Sequence, residues 1–307
     1  MAYRNLMIAS NAQLKIKNEQ LLIKTDTTHS VPIEDINSVL VENHQSTITI
    51  ATLAKLVQDG VTIFVCDEKH TPCAIMMPFA QNARQYGVVK LQESLSLPLQ
   101  KQLWQQIVKY KINNQAICLE FNKQNNAAQQ LRSLAKKVTS GDSNNTEAVA
   151  AAVYFKALFG PDFIRSNDDD LRNAALNYGY AIIRGHIARL IASYGFLPMK
   201  GIHHKSELNA YNLADDFIEP FRPVVDLFVA KEAQAFEALT PQLKQKLYNL
   251  LNMDIKIAQQ NHSVAYAAEK MIQSFSRCCQ KTSKELLLPT LVALRQRSEE
   301  HTSELQS

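Results

Sequence analysis

The sequence predicts an α+β protein, with a small β-rich amino-terminal domain over residues 1–80 and a larger all-helical domain over residues 81–296. Three observations lead there. The first eighty residues carry short runs rich in Val, Ile and Leu between polar turns. After MMPFAQ the pattern changes: Leu99, Leu103 and Ile107, then Ile112, Ala116 and Leu119, recur at helical spacing. A chain of 307 residues, 46% hydrophobic, also has enough apolar material for two cores, at the usual ~150 residues per domain.

Taken in order, LMIAS, AQLKIK, EQLLIK, INSVLVE and VTIFVCD read as strands. ITIATLAKLVQDG has apolar residues at helical spacing and ends in Gly60, so one helix covers the strands. The boundary falls at residues 78–81, and helices follow from about residue 82. VTSGDSNNTE (138–147) is polar and turn-rich, hence a loop. It leads into AVAAAVYFKALFG, whose alanines favour helix and whose Gly160-Pro161 ends it. LRNAALNYGYAIIRGHIARLIASYGF (171–196) is a long helix, apolar on more than one face and therefore central to the core. The last eleven residues, RSEEHTSELQS (297–307), read as the translation of a sequencing-library adapter and are set aside as an artefact tail.

Composition narrows the class. No run of 18 apolar residues occurs, so no membrane span is expected. The first twenty residues lack a sustained apolar segment, which argues against a secretory signal and for the cytoplasm. Cys66, Cys73, Cys118, Cys278 and Cys279 form no CxxC pair, so reduced thiols are expected and a cysteine-built zinc site is not. The formal charge is +4; without the one Arg and three Glu of the tail it is +6. That balance permits nucleic-acid binding, although the charge lies in no single run. Lys136, Lys137, Arg165, Arg172, Arg184 and Arg189 are candidate phosphate contacts or ordinary solvated charges. There is no G-x-G-x-x-G, no P-loop, no H-E-x-x-H and no G-x-S-x-G, which removes the common nucleotide, zincin and nucleophile-elbow readings.

What remains is acid and imidazole. Residues 201–226, GIHHKSELNAYNLADDFIEPFRPVVD, hold His203, His204, Asp215, Asp216, Glu219, Arg222 and Asp226. Adjacent histidines point apart in any regular element, so one of the pair is expected to face a site. Asn212 is placed to cap a helix over LADDFIEPFRPVVD. On it Asp215 and Glu219 stand at i and i+4, and Glu219 and Arg222 have the spacing of an ordinary helix ion pair. Pro220 lies inside that pattern and kinks it. Upstream, Glu147 has a local account of its own: a capping box with Asn144 at the N-cap and Glu147 as its N3 partner.

The blocks NNTEAVAAAVYFKALFG, LNYGYAIIRG and the EPFRP of residues 219–223, in this order, are together highly specific. Over about residues 1–290 the chain resembles the CRISPR-associated endonuclease and integrase of spacer acquisition, in the form found beside single-protein effector nucleases (type II). The resemblance implies a metal-binding catalytic triad of Glu147, His204 and Glu219. His204 is preferred to His203 because relatives with one histidine carry it at the later position. Asp215 matches the acid of other branches and is an alternate ligand.

The resemblance further implies Mg²⁺ or Mn²⁺, since two carboxylates and one imidazole suit hard divalent ions. It implies attack by a DNA 3′-hydroxyl on a phosphodiester, double-stranded DNA partners (prespacer and array), a homodimer paired through the β-rich domain, and a small ferredoxin-like partner subunit. The alternatives are a non-catalytic DNA-binding scaffold of the same fold and a metal-dependent phosphohydrolase acting on small molecules.

Overall fold

A computed structural model of the chain describes residues 4–68, 70, 72–76, 84–167 and 169–295. The expected boundary at 78–81 and the tail at 297–307 lie outside the described residues. The chain forms two compact units, one within residues 1–79 and one within residues 80–294.

The first unit holds β1 (Arg4–Ile8), β2 (Gln13–Lys17), β3 (Gln20–Lys24), β4 (Thr28–Pro32), β5 (Ile36–Val41), β6 (Thr47–Ile48), α1 (Ile50–Gln58), β7 (Thr62–Cys66) and β8 (Pro72–Met76). These make two four-stranded sheets, ordered β1-β5-β7-β8 and β4-β3-β2-β6. β2 and β3 pair antiparallel through Asn18 and Glu19, both at positive φ, which is the two-residue turn that matches strand twist. Leu14, Leu21 and Val31 of one sheet share a core with Val39 and Ile63 of the other and with Leu56 of α1. The helix begins at Ile50 rather than at the start of ITIATL. Thr49 caps it by accepting from the Thr52 N–H, and Thr47-Ile48 pair with β2 instead. Gly60, at φ 83, closes the helix turn as expected.

The second unit carries α2 (Gln85–Glu93), α3 (Leu97–Phe121), α4 (Asn125–Lys137), α5 (Thr146–Phe159), α6 (Leu171–Ser193), α7 (Asn212–Ile218), α8 (Arg222–Glu232), α9 (Pro241–Tyr248) and α10 (Val264–Cys279). It is not all-helical. β9 (Asp254–Ile257) and β10 (Gln260–Ser263) form an antiparallel hairpin between α9 and α10. Its turn residues, Ala258 and Gln259, are both left-handed without a glycine or asparagine to signal it. α6 is central, packed against α7, α8, α9 and α10. At Gly179 it meets α8 so closely that an added Cβ would lie 2.5 Å from Val225 Cγ1.

Candidate active site

The loop at 138–147 delivers Glu147 at the first turn of α5. The anticipated capping box is not made. Asn145 is left-handed (φ 51) and its side chain makes no cap hydrogen bond among the described residues. Asp142 caps instead, its Oδ1 accepting from the Thr146 N–H at 2.9 Å and its Oδ2 from the Glu147 N–H at 3.0 Å. The Glu147 carboxylate therefore owes nothing to its own backbone.

Pro220 breaks the next acid-bearing helix. α7 ends at Ile218, Glu219–Phe221 form a 3₁₀ turn, and α8 restarts at Arg222. A proline supplies no N–H and clashes with the carbonyl one turn back, so the α-ladder cannot run through this point. The Pro220 carbonyl is taken by Asn114 Nδ2 of α3 at 2.8 Å. The same amide donates to Pro289 O at 2.9 Å and accepts from the Leu291 N–H at 3.0 Å.

The two acids meet on one cation. Lys111 Nζ lies 2.5 Å from Glu147 Oε1 and 2.5 Å from Glu219 Oε2. Arg222 Nε lies 2.9 Å from the other Glu219 oxygen, Oε1. Burial alone would raise the Glu219 pKa, yet Lys111 and Arg222 hold it down at about 2. Burial likewise works against the Lys111 ammonium, but Glu219 and Glu147 outweigh it and leave its pKa raised.

The histidines sit on the connector between α6 and α7. Asn212 was expected to cap α7; instead Tyr211 holds the N-cap position. Asn212 Nδ2 donates to Met199 O and Ser206 O, which folds the connector back on the helix. Asp216, fully buried, organises the rest. It accepts from the backbone N–H groups of Ile202 (2.5 Å), His203 (3.0 Å) and His204 (3.1 Å), and pairs with His204 Nδ1 at 2.7 Å. A carboxylate oxygen accepts, so Nδ1 donates and Nε2 is left as the ring's acceptor. That hydrogen bond raises the His204 pKa, against the opposing effect of burial. His203 turns away and stacks flat on Trp104, centroids 4.2 Å apart. An added Cβ at Gly201 would lie 2.3 Å from His204 O and 2.8 Å from Asp216 Oδ2, so only glycine fits under this turn.

Beside the acid pair lies a cleft of about 220 Å³, lined by Lys111, Gln115, Tyr180, Glu219, Arg222 and Asp226 among others. Asp226 is buried and receives the hydroxyls of Tyr154 (2.9 Å) and Tyr180. Burial pushes its pKa up to about 6 despite both hydroxyls. Among the described residues no three His, Cys, Asp or Glu side chains converge closely enough to hold one ion as they stand. The donors nevertheless have the chemistry of such a site. Two carboxylates already share one cation, and an imidazole is oriented through Nδ1 by a buried carboxylate, the arrangement that presents Nε2 to a metal.

The chain matches the family model for the CRISPR-associated protein Cas1 over residues 6–237. It is 44% identical over 301 residues to the CRISPR-associated endonuclease Cas1 of Neisseria meningitidis serogroup C, an alignment covering 96% of this chain and 99% of that one. The chain belongs to the Cas1 family. A Cas1 endonuclease of Pyrobaculum aerophilum is 26% identical over 256 residues, 78% of this chain and 86% of the relative. Among solved structures, a casposase bound to its integration product shares the fold at TM-score 0.75 and 18% identity, with 92% of each chain covered. A Cas1 protein from Thermotoga maritima does so at TM-score 0.69 and 16% identity, covering 90% of this chain and 97% of that one.

In this Cas1 chain Glu147 and Glu219 share a partner, while His204 is tied to Asp216. Asp215, weighed as an alternate ligand, pairs instead with Arg184 (2.5 Å) and Asn209 (2.5 Å). Of the candidate DNA-contacting cations, Arg172 pairs with Asp170, Arg184 with Asp215, and Arg165 donates to Asn173 and Asn177. Arg189 is partly buried, and Lys136 borders a groove with Lys109 and Arg132. Sequence reasoning gave no role to Lys111, Asp142 or Gly201. Lys111 lies in no motif, 36 positions from Glu147. Asp216 stood inside the acidic run, where its backbone-binding role had no signature.

Proposed function

We propose that this chain is a divalent-metal-dependent DNA endonuclease and integrase that inserts new spacers into a CRISPR array. The carrying observation is that Glu147 of α5 and Glu219 of the proline kink, in a Cas1-family chain, meet on a single ammonium, with His204 locked by Asp216 on the neighbouring turn. The names of the relatives, an endonuclease and a casposase bound to an integration product, support the reaction class.

Glu147, His204 through Nε2, and Glu219 would hold Mg²⁺ or Mn²⁺. When bound, such an ion polarises the scissile phosphate and lowers the pKa of the attacking hydroxyl. The chain's own groups do the positioning. Asp216 fixes the His204 tautomer and ring angle. Arg222 anchors the second Glu219 oxygen with a charge-assisted hydrogen bond. The nucleophile is a DNA 3′-hydroxyl in integration and water in cleavage, both at a phosphodiester.

DNA, as prespacer and array, is held mainly through phosphates, so binding falls steeply with salt. The β-rich unit pairs two copies of the chain, and the homodimers flank a small ferredoxin-like subunit. Two solved structures that share the fold, a Cas6-RT-Cas1–Cas2 complex and a partial one, support a Cas2 partner. Among the described residues no helix is long and apolar enough to cross a membrane, and the proposed place of action is the cytoplasm.

The test is cleavage of branched DNA and integration of a short duplex by the full chain in Mn²⁺. His204→Ala is expected to abolish both with the thermal midpoint unchanged; full activity in that variant removes His204 from the site. Asp216→Asn is expected to cost about 10–100-fold, the usual effect of losing a ligand's supporting carboxylate. One observation favours the scaffold reading: Lys111 stands where a cation would bind. A scaffold binds branched DNA and leaves it uncut at every Mn²⁺ concentration.

A further inference from the structure

A buried lysine between two carboxylates is a fixed positive charge at the point where a metal ion would sit. The two oxygens, each 2.5 Å from Lys111 Nζ, are at most twice that distance, 5.0 Å, apart. Oxygen ligands of Mg²⁺ lie about 2.0–2.1 Å from the ion, so opposite ligands stand about 4 Å apart. The ammonium thus holds the carboxylates close to the spacing that a divalent ion needs. Without any cation they would repel, and burial would magnify the repulsion.

Lysine can also leave, because its charge rides on a flexible unbranched stem. The structure offers somewhere to go. Gln115, one turn further along α3, lines the same cleft as Lys111. Its Oε1 is buried and, among the described residues, accepts no hydrogen bond. A buried carbonyl oxygen without a donor is uncommon and destabilising. The cleft also carries the Asp226 carboxyl, a second acceptor for a cation.

We propose that Lys111 is a two-position placeholder. It bridges Glu147 and Glu219 in the ion-free protein, and it swings into the cleft, onto Gln115 Oε1 and toward Asp226, when a divalent ion takes its place. This rests on the metal-site reading above and deepens it. The lysine keeps the ion-free site assembled and competes with the ion, so metal affinity and ion-free stability trade against each other at one residue. Gln115 favours the ion-bound arrangement by satisfying the displaced ammonium.

The experiment is Mn²⁺ titration by calorimetry on the full chain, without DNA. Lys111→Met is expected to bind Mn²⁺ at least about tenfold tighter and to melt lower in chelator, with Mn²⁺ restoring the midpoint. Gln115→Met is expected to bind more weakly than the unmodified chain. Adding it to Lys111→Met is expected to change nothing further. Equal or weaker binding by Lys111→Met, while Glu147→Gln still abolishes binding, overturns the placeholder and spares the metal site. Binding indifferent to Glu147→Gln overturns the site reading and the placeholder together. A measurement on the unmodified chain covers the case in which Lys111→Met fails to fold. Lysine acetylation read by mass spectrometry is expected to find Lys111 protected in chelator and more reactive in saturating Mn²⁺; unchanged protection overturns the proposal.

Discussion

The two units of the chain bury different things. In the first, Leu14, Leu21, Val31, Val39, Leu56 and Ile63 make an apolar core, and Glu42 is the one charged side chain among its buried described residues. In the second, Lys111, Asp216, Glu219, Asp226, Lys244 and His186 are buried beside an equally apolar core. Burying an ion costs several kcal/mol unless its partner and its hydrogen bonds go with it. The first unit therefore owes its stability to area removed from water, and the second also owes it to the completeness of a charge network. The lesson is that the two respond to different injuries.

The sharpest break of that contrast is Glu219→Ala. It strands Arg222 and half of the Lys111 bridge in a dry site, and the expected loss is about 3–5 kcal/mol in denaturant unfolding of the second unit. Leu21→Ala is its counterpart in the first unit. A cavity there is expected to cost about 2–5 kcal/mol while leaving Mn²⁺ binding unchanged. A Glu219→Ala protein as stable as the parent would erase the distinction.

Acid sharpens it next. Burial holds the His186 pKa down at about 3, with Arg189 adding to the effect, against an unfolded value near 6.5. The unfolded chain then binds the extra proton, so stability is intact above pH 6.5 and is lost as the pH falls toward 3. Between pH 6.5 and 5 the loss is about 2 kcal/mol. His186→Leu is expected to flatten that stretch of the stability profile; an unchanged slope would assign the acid sensitivity elsewhere. The smallest effect concerns the loop before α5. Asp142→Ala removes the cap from Thr146 and Glu147, and about 0.5–2 kcal/mol should go with it in thermal unfolding.

The legible parts of the fold were those written in local pattern. The Val- and Ile-rich strands, the Gly60 and Gly160 stops and the central helix over residues 171–193 all declare themselves through spacing. β4, THSVP, escaped because its apolar residues are too few to alternate, and β8, PCAIM, because it opens on a proline and has no polar residue to alternate with. The β9–β10 hairpin escaped because Ala258-Gln259 does not advertise a left-handed turn. At the site, Glu147, His204 and Glu219 were singled out only through the family resemblance, Glu147 and Glu219 inside two of its short blocks and His204 in the GIHHKS stretch that precedes the second acid. Asn144 and Asn212 looked like caps because a cap is the commonest use of such residues at those positions. Tertiary partners overrode that preference: Asp142 reached Thr146 and Glu147 first, and Asn212 was drawn to two carbonyls of the connector. Lys111 was invisible, since nothing local distinguishes it from any other lysine on a long helix.

The single amide of Asn114 grips the Pro220 carbonyl with one hand and the chain near Pro289 and Leu291 with the other. The far end of the polypeptide is thereby a brace for the bend that carries Glu219. An expression clone trimmed at residue 285, although it would keep every acid and histidine discussed above, would pull that brace out, and its loss of function would be mistaken for evidence of a missing tail activity.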